Sequence, residues 1–178
     1  MLMTTTQPAV AETGDPAVQA GLSTKTLIIG IGNSLMTDDG AGVHVIEALE
    51  KMNLPADVEL MDGGTLGFTL LESVETADRL IVVDAANLEA EPGTVQVFEN
   101  EKMDAYLSSC RRSSVHEVNL MDVMSAAKFR GTMPADYALV GIKPAEVDWG
   151  SEPTEAVARG VAEAVSIIAD MVSEGKRS

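Results

Sequence analysis

The sequence predicts an α/β fold in which a mostly parallel twisted sheet lies between two layers of helices, a three-layer α/β/α sandwich. Short apolar runs, typical of strands buried on both faces, alternate along the chain with segments whose apolar residues recur at helical spacing. Such alternation is typical of parallel strands joined by helical crossovers. The length of 178 residues is sufficient for one domain with a sizeable core.

The composition changes near residue 25. Residues 1–24 are mostly small or polar and contain two prolines and two glycines. We therefore expect them to form a flexible N-terminal extension that contributes little to the core. The extension has neither the basic start nor the apolar centre of a signal peptide. Residues 25–178 are expected to form a single α/β domain.

Periodicity predicts the elements of this domain. Strands are predicted at residues 26–29, 58–61, 80–83 and 137–140, and residues 94–98 alternate like a partly exposed edge strand. Helices are predicted after residue 42, near residues 66–71, at 118–129 and at 157–172. Residues 62–65 are predicted to form a tight turn, and residues 146–154 a loop that carries Trp149. The polar segment 99–115 is predicted to be a mobile loop that His116 closes.

Charge and cysteine content exclude several classes of function. The net charge is −16 and the pI is about 4.3, so the chain would repel a phosphate backbone and no nucleic-acid partner is expected. No run is long and apolar enough to cross a membrane, and no membrane association is expected. The single cysteine, Cys110, cannot form an internal disulfide, which fits a cytoplasmic location.

The stretch from residue 25 to residue 42 organises the rest of the chain. Its strand ends in Gly30 and Gly32, and the adjacent carboxylates Asp38 and Asp39 follow where the strand gives way to a helix. These acids suit a helix N-terminus. They equally suit a hard or borderline cation held by carboxylate oxygens. A dinucleotide loop is less consistent with the stretch, because the third glycine of that motif is absent and the acids would repel a pyrophosphate.

Further acids follow the later strands. Asp62 and Asp84 come directly after predicted strands, so we expect them at the same edge of the sheet as Asp38 and Asp39. Together with His116 they would provide oxygen and nitrogen ligands with open positions, which suits a divalent transition metal. Simpler roles remain open: a turn residue for Asp62, a cap for Asp84 and a surface position for His116.

Three other reactive residues are less favoured as site residues. His44 lies within the first predicted helix, where a structural or surface role is expected. Cys110 has no evident orienting partner, which argues against a thiol nucleophile. Ser34 is not in the glycine-flanked elbow of serine hydrolases.

Five motifs in order resemble those of the hydrogenase maturation proteases, and the resemblance covers residues 26–172. They are GIGNSLMTDDGAG at 30–42, DGGTLG at 62–67, LIVVDA at 80–85, His116 and LVGIKP at 139–144. The resemblance implies that Asp39, Asp84 and His116 are both the metal-binding and the catalytic residues. It implies a helper or capping role for Asp38, and a structural or peptide-positioning role for Asp62.

The family resemblance also implies an activity. Residues 25–178 would be a peptidase domain that removes the C-terminal extension from the large-subunit precursor of a nickel-iron hydrogenase after nickel insertion. The precursor itself would present the nickel, and no organic cofactor is expected. Either the metal polarises the peptide carbonyl or activates water, or a carboxylate acts as general base in an aspartyl-type reaction. The alternative is a non-catalytic module of similar fold that binds a metal or a small ligand.

Overall fold

The computed structural model describes residues 24–65, 67–109 and 115–174, and of these it describes residues 115–119 and 174 by their backbone only. All but the last residue of the predicted extension 1–24 lies outside these ranges, as does Cys110. No helix in the described ranges is both long and apolar enough to span a membrane.

A five-stranded sheet forms the centre of the described fold. Its strands are β1 (Thr26–Ile31), β2 (Val58–Gly64), β3 (Arg79–Ala85), β4 (Val95–Glu99) and β5 (Asp136–Ile142). The spatial order is β2-β1-β3-β5-β4. All neighbours are parallel except β4, which pairs antiparallel with β5 at the edge. The predicted mostly parallel sheet and its edge strand are confirmed.

Helices cover both faces of the sheet. They are α1 (Ala41–Leu49), α2 (Leu71–Glu75), α3 (Glu101–Ser109), α4 (Val115–Arg130) and α5 (Glu155–Glu174). Helices α1 and α5 pack on the strand face that includes Ile28 and Ile81. Helices α2, α3 and α4 pack on the opposite face, which includes Leu27 and Leu80. Successive strand residues are therefore buried on alternate sides, which explains the continuous apolar runs and confirms the three-layer fold.

The prediction of a mobile loop at residues 99–115 is wrong over most of that segment. Residues 101–109 form helix α3, in which Met103 and Leu107, one turn apart, are buried against the core. The polar residues that suggested a loop occupy the exposed side of this helix. Helix α4 begins at Val115 rather than at residue 118, so His116 lies in the first turn of a helix and does not close a loop.

The predicted tight turn at residues 62–65 also differs. Strand β2 continues through Asp62 to Gly64, and the pairing with β1 shifts by one residue there, because Gly30 pairs with Asp62 and Ile31 with Gly64. This irregularity is a bulge, which lets the strand bend while its ladder continues. The turn follows at Thr65.

Candidate functional site

Two acids lie at the carboxyl edge of the sheet, where the parallel neighbours β1 and β3 end side by side. After β1 the chain forms a 3-10 turn, Thr37–Gly40, which carries Asp38 and Asp39 and is called the acidic turn below. The acidic turn contacts β3. Asp84 is the penultimate residue of that strand. Asp39 and Asp84 therefore approach the same edge from adjacent strands, which is where open α/β sheets bind ligands.

Glycines allow this close approach. Gly32 has a φ of +138°, and a Cβ at this position would lie 2.0 Å from the backbone oxygen of Asp39. A Cβ at Gly42 would lie 2.3 Å from the carbonyl oxygens of both Ile31 and Val83. The acidic turn and the start of α1 thus lie directly against the ends of β1 and β3. Only glycine permits such backbone contact, so these positions fix where the acids are held.

Asp38 is fully buried, and it ties the acidic turn to the segment between β5 and α5. One carboxylate oxygen accepts hydrogen bonds from the backbone N–H groups of Ala145 and Glu146, both at 2.9 Å, and from the hydroxyl of Thr154 at 3.0 Å. The other oxygen accepts the backbone N–H of Thr154 at 2.6 Å. The N-cap residues of the acidic turn and of α1 are Met36 and Gly40, so Asp38 is not a cap. It anchors the segment between β5 and α5, and its helper role stays a prediction.

Asp39 and Asp84 are held differently from Asp38. Asp39 is half-buried, and its Oδ2 accepts a hydrogen bond of 3.1 Å from the backbone N–H of Asn33, which orients the carboxylate. Asp84 is only 3% exposed and is aligned with Gly141 of β5. Two carboxylates at one sheet edge provide oxygen ligands for a divalent cation or an acceptor for a proton from water.

The third predicted site residue, His116, is described by its backbone alone. Among the side chains that the structure describes, no three from His, Cys, Asp and Glu are grouped so as to hold a metal ion. The predicted set of Asp39, Asp84 and His116 includes a side chain beyond that description. It stays a prediction.

The two other candidates have local roles. Asp62 is exposed, and its Oδ1 accepts a hydrogen bond of 2.8 Å from the N–H of Gly64 within the bulge of β2. His44 lies in α1, where its Nδ1 is 3.2 Å from Glu47 Oε2. Both arrangements agree with the structural roles that the sequence favoured.

Sequence reasoning did not find the contact between Asp38 and the segment after β5. Asp38 and Thr154 are 116 residues apart. A single sequence contains no local pattern that links a carboxylate to backbone donors at such a distance. The sequence shows that Asp38 and Asp39 are adjacent, but their division into a buried anchor and a half-buried candidate site residue depends on tertiary structure.

The fold and these acids describe an α/β protein with a candidate carboxylate site at the carboxyl edge of its sheet. The hydrogenase maturation protease (HycI) family model matches residues 43–171. The hydrogenase expression/formation protein HupM of Azotobacter chroococcum is 38% identical over 156 residues, covering 86% of this chain and 74% of the relative. The hydrogenase 2 maturation protease of Escherichia coli is 38% identical over 126 residues, covering 70% of this chain and 76% of the relative.

A solved structure agrees with these relatives. The hydrogenase maturating endopeptidase HybD from E. coli superimposes with a TM-score of 0.80 at 34% identity, covering 85% of this chain and 93% of HybD. The chain belongs to the hydrogenase maturation protease family. It is a peptidase of that family, and the alternative of a non-catalytic binding module is not favoured.

Proposed function

We propose that this protein is the endopeptidase that removes the C-terminal extension of a nickel-iron hydrogenase large-subunit precursor after nickel insertion. The observation that carries the proposal is the pair Asp39 and Asp84 at one sheet edge in a chain of the maturation protease family. The relatives support the substrate, since one of them is named as the maturation protease of hydrogenase 2. The reaction is assigned to the cytoplasm, with no organic cofactor.

In the proposed reaction the nickel arrives as part of the substrate. Asp39, Asp84 and His116 contact this nickel and so hold the scissile peptide at the sheet edge. The hydrogen bond from Asn33 orients the Asp39 carboxylate, and burial of Asp84 limits its hydration. A carboxylate then accepts the proton of the attacking water, as in an aspartyl-type peptidase, or the substrate's nickel activates that water. Both routes need the same three side chains.

The test is processing of purified precursor, with and without nickel, by a set of variants. Asp39→Asn, Asp84→Asn and His116→Ala should each slow cleavage by roughly 100-fold or more, because each removes a ligand or a proton acceptor. Asp39→Glu should be the mildest change, since it keeps the charge and the oxygen ligands. Cleavage is followed as the mass difference between precursor and product.

The matched control is His44→Ala, which removes the only other histidine in the sequence. It should cleave at close to the wild-type rate. Thermal melts of every variant separate loss of chemistry from loss of folding. Full activity of His116→Ala, or activity lost only in variants that unfold, would rule out the three-residue site. Binding of nickel-loaded precursor without any cleavage by the wild type would instead support the binding-module alternative.

A further inference from the structure

Two loops beside the acidic turn are joined to each other by backbone hydrogen bonds. Met36, before the acidic turn, and Gly150, between β5 and α5, form a parallel β-bridge. The N–H of Gly150 donates to the carbonyl of Leu35 at 3.0 Å, and the N–H of Thr37 donates to the carbonyl of Gly150 at 2.7 Å. The two loops therefore form one continuous surface at the rim of the candidate site.

Exposed apolar side chains are concentrated on this rim. Leu35 is 60% exposed, Val147 is 53% exposed and Trp149 is 80% exposed. They account for three of the six large apolar residues that are exposed in the described part of the chain. Leu35 and Trp149 each precede a partner of the bridge, so the parallel register places them side by side. Leu35, Val147 and Trp149 are called the rim patch below.

The rim patch is supported from beneath. The buried carboxylate of Asp38 binds the backbone of the second loop near both of its ends, at Ala145 and Glu146 and again at Thr154. The hydroxyl of Thr37 adds a bond to the carbonyl of Glu146 at 3.0 Å. A patch whose backbone is already fixed loses little conformational freedom on binding, which favours its use as a docking surface.

The loop that carries Val147 and Trp149 is acidic. Between residues 144 and 154 the sequence contains no lysine or arginine, and its three acidic residues, Glu146, Asp148 and Glu152, are exposed. Glu155, one residue further, is paired with Arg159 at 2.8 Å. The complementary partner combines an apolar side chain that covers Trp149 with neighbouring lysine or arginine residues. Leu35 lies only four residues before Asp39, so the rim patch is continuous with the proposed site.

We infer that the rim patch docks the large-subunit precursor through an apolar side chain flanked by basic residues, close to the peptide that is cut. This inference rests on the proposed function. It adds to the proposed function the kind of precursor segment that the protease recognises. The binding contact is made away from the reacting atoms, so it lowers KM and leaves kcat nearly unchanged.

The first experiment replaces Trp149 by Ala and measures KM and kcat for cleavage of nickel-loaded precursor. A central exposed tryptophan at a docking surface is expected to raise KM roughly tenfold or more when truncated, while kcat stays within about twofold. The matched control is Phe129→Ala, which truncates another exposed aromatic residue. Phe129 lies near the end of α4, which leads into the start of β5, so it is at the amino ends of the parallel strands, away from the rim patch. The control should leave both constants unchanged.

The second experiment tests the charge. Glu146→Lys combined with Glu152→Lys should raise KM and make it less sensitive to salt, because attraction to a basic segment is screened by ions. Glu50→Lys, at an exposed acid directly after α1, is compared with each single variant, Glu146→Lys and Glu152→Lys, as the matched charge control. Thermal melts of all variants should match the wild type.

Direct binding separates this inference from the proposed function. The Kd for precursor is measured by biolayer interferometry for the wild type and for Trp149→Ala. If the wild type fails to cleave, the proposed function fails, and the Kd ratio alone decides whether the rim patch docks precursor. The inference would be overturned if Trp149→Ala had the same KM as the wild type and also the same Kd as the wild type. A second result would also overturn it. If the wild type sediments as a dimer, and Trp149→Ala sediments as a monomer with an unchanged KM, the rim patch binds a second copy of the chain instead.

Discussion

Asp38 and Asp104 each connect segments that are distant in sequence, but they do so in opposite surroundings. Asp38 is fully buried and is bound by three backbone N–H groups and one hydroxyl. The side chain of Asp104 in α3 is 36% exposed. Both of its oxygens lie 2.6 Å from Nζ of Lys128, and one of them accepts a bond of 2.9 Å from the hydroxyl of Tyr137.

From this difference we expect that the charge of the partner does not decide how much a carboxylate contributes to stability. Asp104 has a charged partner, but water can replace either group of an exposed ion pair at little cost. Asp38 has no charged partner in the described contacts, but its donors are buried and would lose their acceptor if it were removed. A buried donor left without an acceptor costs about 1–3 kcal/mol. We therefore expect Asp38 to contribute far more than Lys128 to folding and to the shape of the site.

The largest expected effect belongs to Asp38→Ala. The change leaves the N–H groups of Ala145, Glu146 and Thr154 without their acceptor, so the free energy of unfolding should fall by about 3 kcal/mol or more. For a chain of this size that corresponds to a melting temperature lowered by roughly 6–12 °C. Urea unfolding followed by circular dichroism measures the loss. Precursor processing should also fall, because the loop that carries Trp149 loses its anchor.

Asp38→Asn is the control for shape. Its amide keeps one acceptor oxygen but turns an NH2 group toward the remaining donors, so the loss should be intermediate. The fluorescence of Trp149, the only tryptophan in the sequence, reports the loop directly. A melting temperature of Asp38→Ala within 2 °C (roughly 1 kcal/mol) of the wild type would show that burial does not determine the contribution of this carboxylate.

A smaller loss is expected for Thr154→Val. The hydroxyl of Thr154 donates to Asp38 at 3.0 Å and accepts a long bond of 3.5 Å from the N–H of Val157 in the first turn of α5. Valine keeps the shape but removes both bonds, so stability should fall by about 1–2 kcal/mol. Thr154→Ser keeps the hydroxyl and should stay close to the wild type. A larger loss in Thr154→Ser than in Thr154→Val would assign the contribution of this residue to packing of its methyl group instead.

The sequence predicted the parts of the fold that depend on local pattern. The apolar runs at residues 26–29 and 80–83 belong to strands buried on both faces, and the stripe from Val157 to Val172 belongs to α5. Helix α3 was not predicted, because only Met103 and Leu107 are buried along its nine residues and the remaining positions are largely polar. The spacing of these two residues by four was the signal that could have indicated it.

The surroundings of the candidate site follow from the sequence only in part. Motif order selected Asp39 and Asp84, whose role stays a prediction, and parallel pairing of β1 and β3 brings their strand ends together. The role of Asp38 depends on donors 107 to 116 residues further along the chain. The bridge between Met36 and Gly150 is likewise a tertiary contact. Local pattern does not encode such contacts.

The smallest expected effect belongs to Lys128→Met, which removes the ion pair with Asp104 and keeps a long apolar side chain. The side chains of Lys128 and Asp104 are 40% and 36% exposed, so the free energy of unfolding at pH 7 should fall by less than about 1 kcal/mol. Tyr137 would still donate to Asp104, and water can hydrate the remaining oxygen. A loss as large as that of Asp38→Ala would contradict the comparison between the two carboxylates.

The pH dependence of this small contribution has a definite sign. Burial is the largest single influence on the pKa of Lys128 and lowers it, but the hydrogen bonds and charges of Asp104 and Tyr137 together outweigh burial and raise the pKa above the ordinary 10.5. Burial and the bond to Asp104 raise the pKa of Tyr137 above its ordinary 10.0. Both groups hold their protons more tightly in the folded state, so their contribution is complete below pH 10 and is lost as the pH rises through the raised values.

The stability difference between wild type and Lys128→Met should therefore be constant from pH 7 to pH 9 and shrink above about pH 10.5. Urea unfolding at pH 7, 9 and 11 measures this difference, and a difference that grew with pH would show that Lys128 is not held by Asp104 in its charged form.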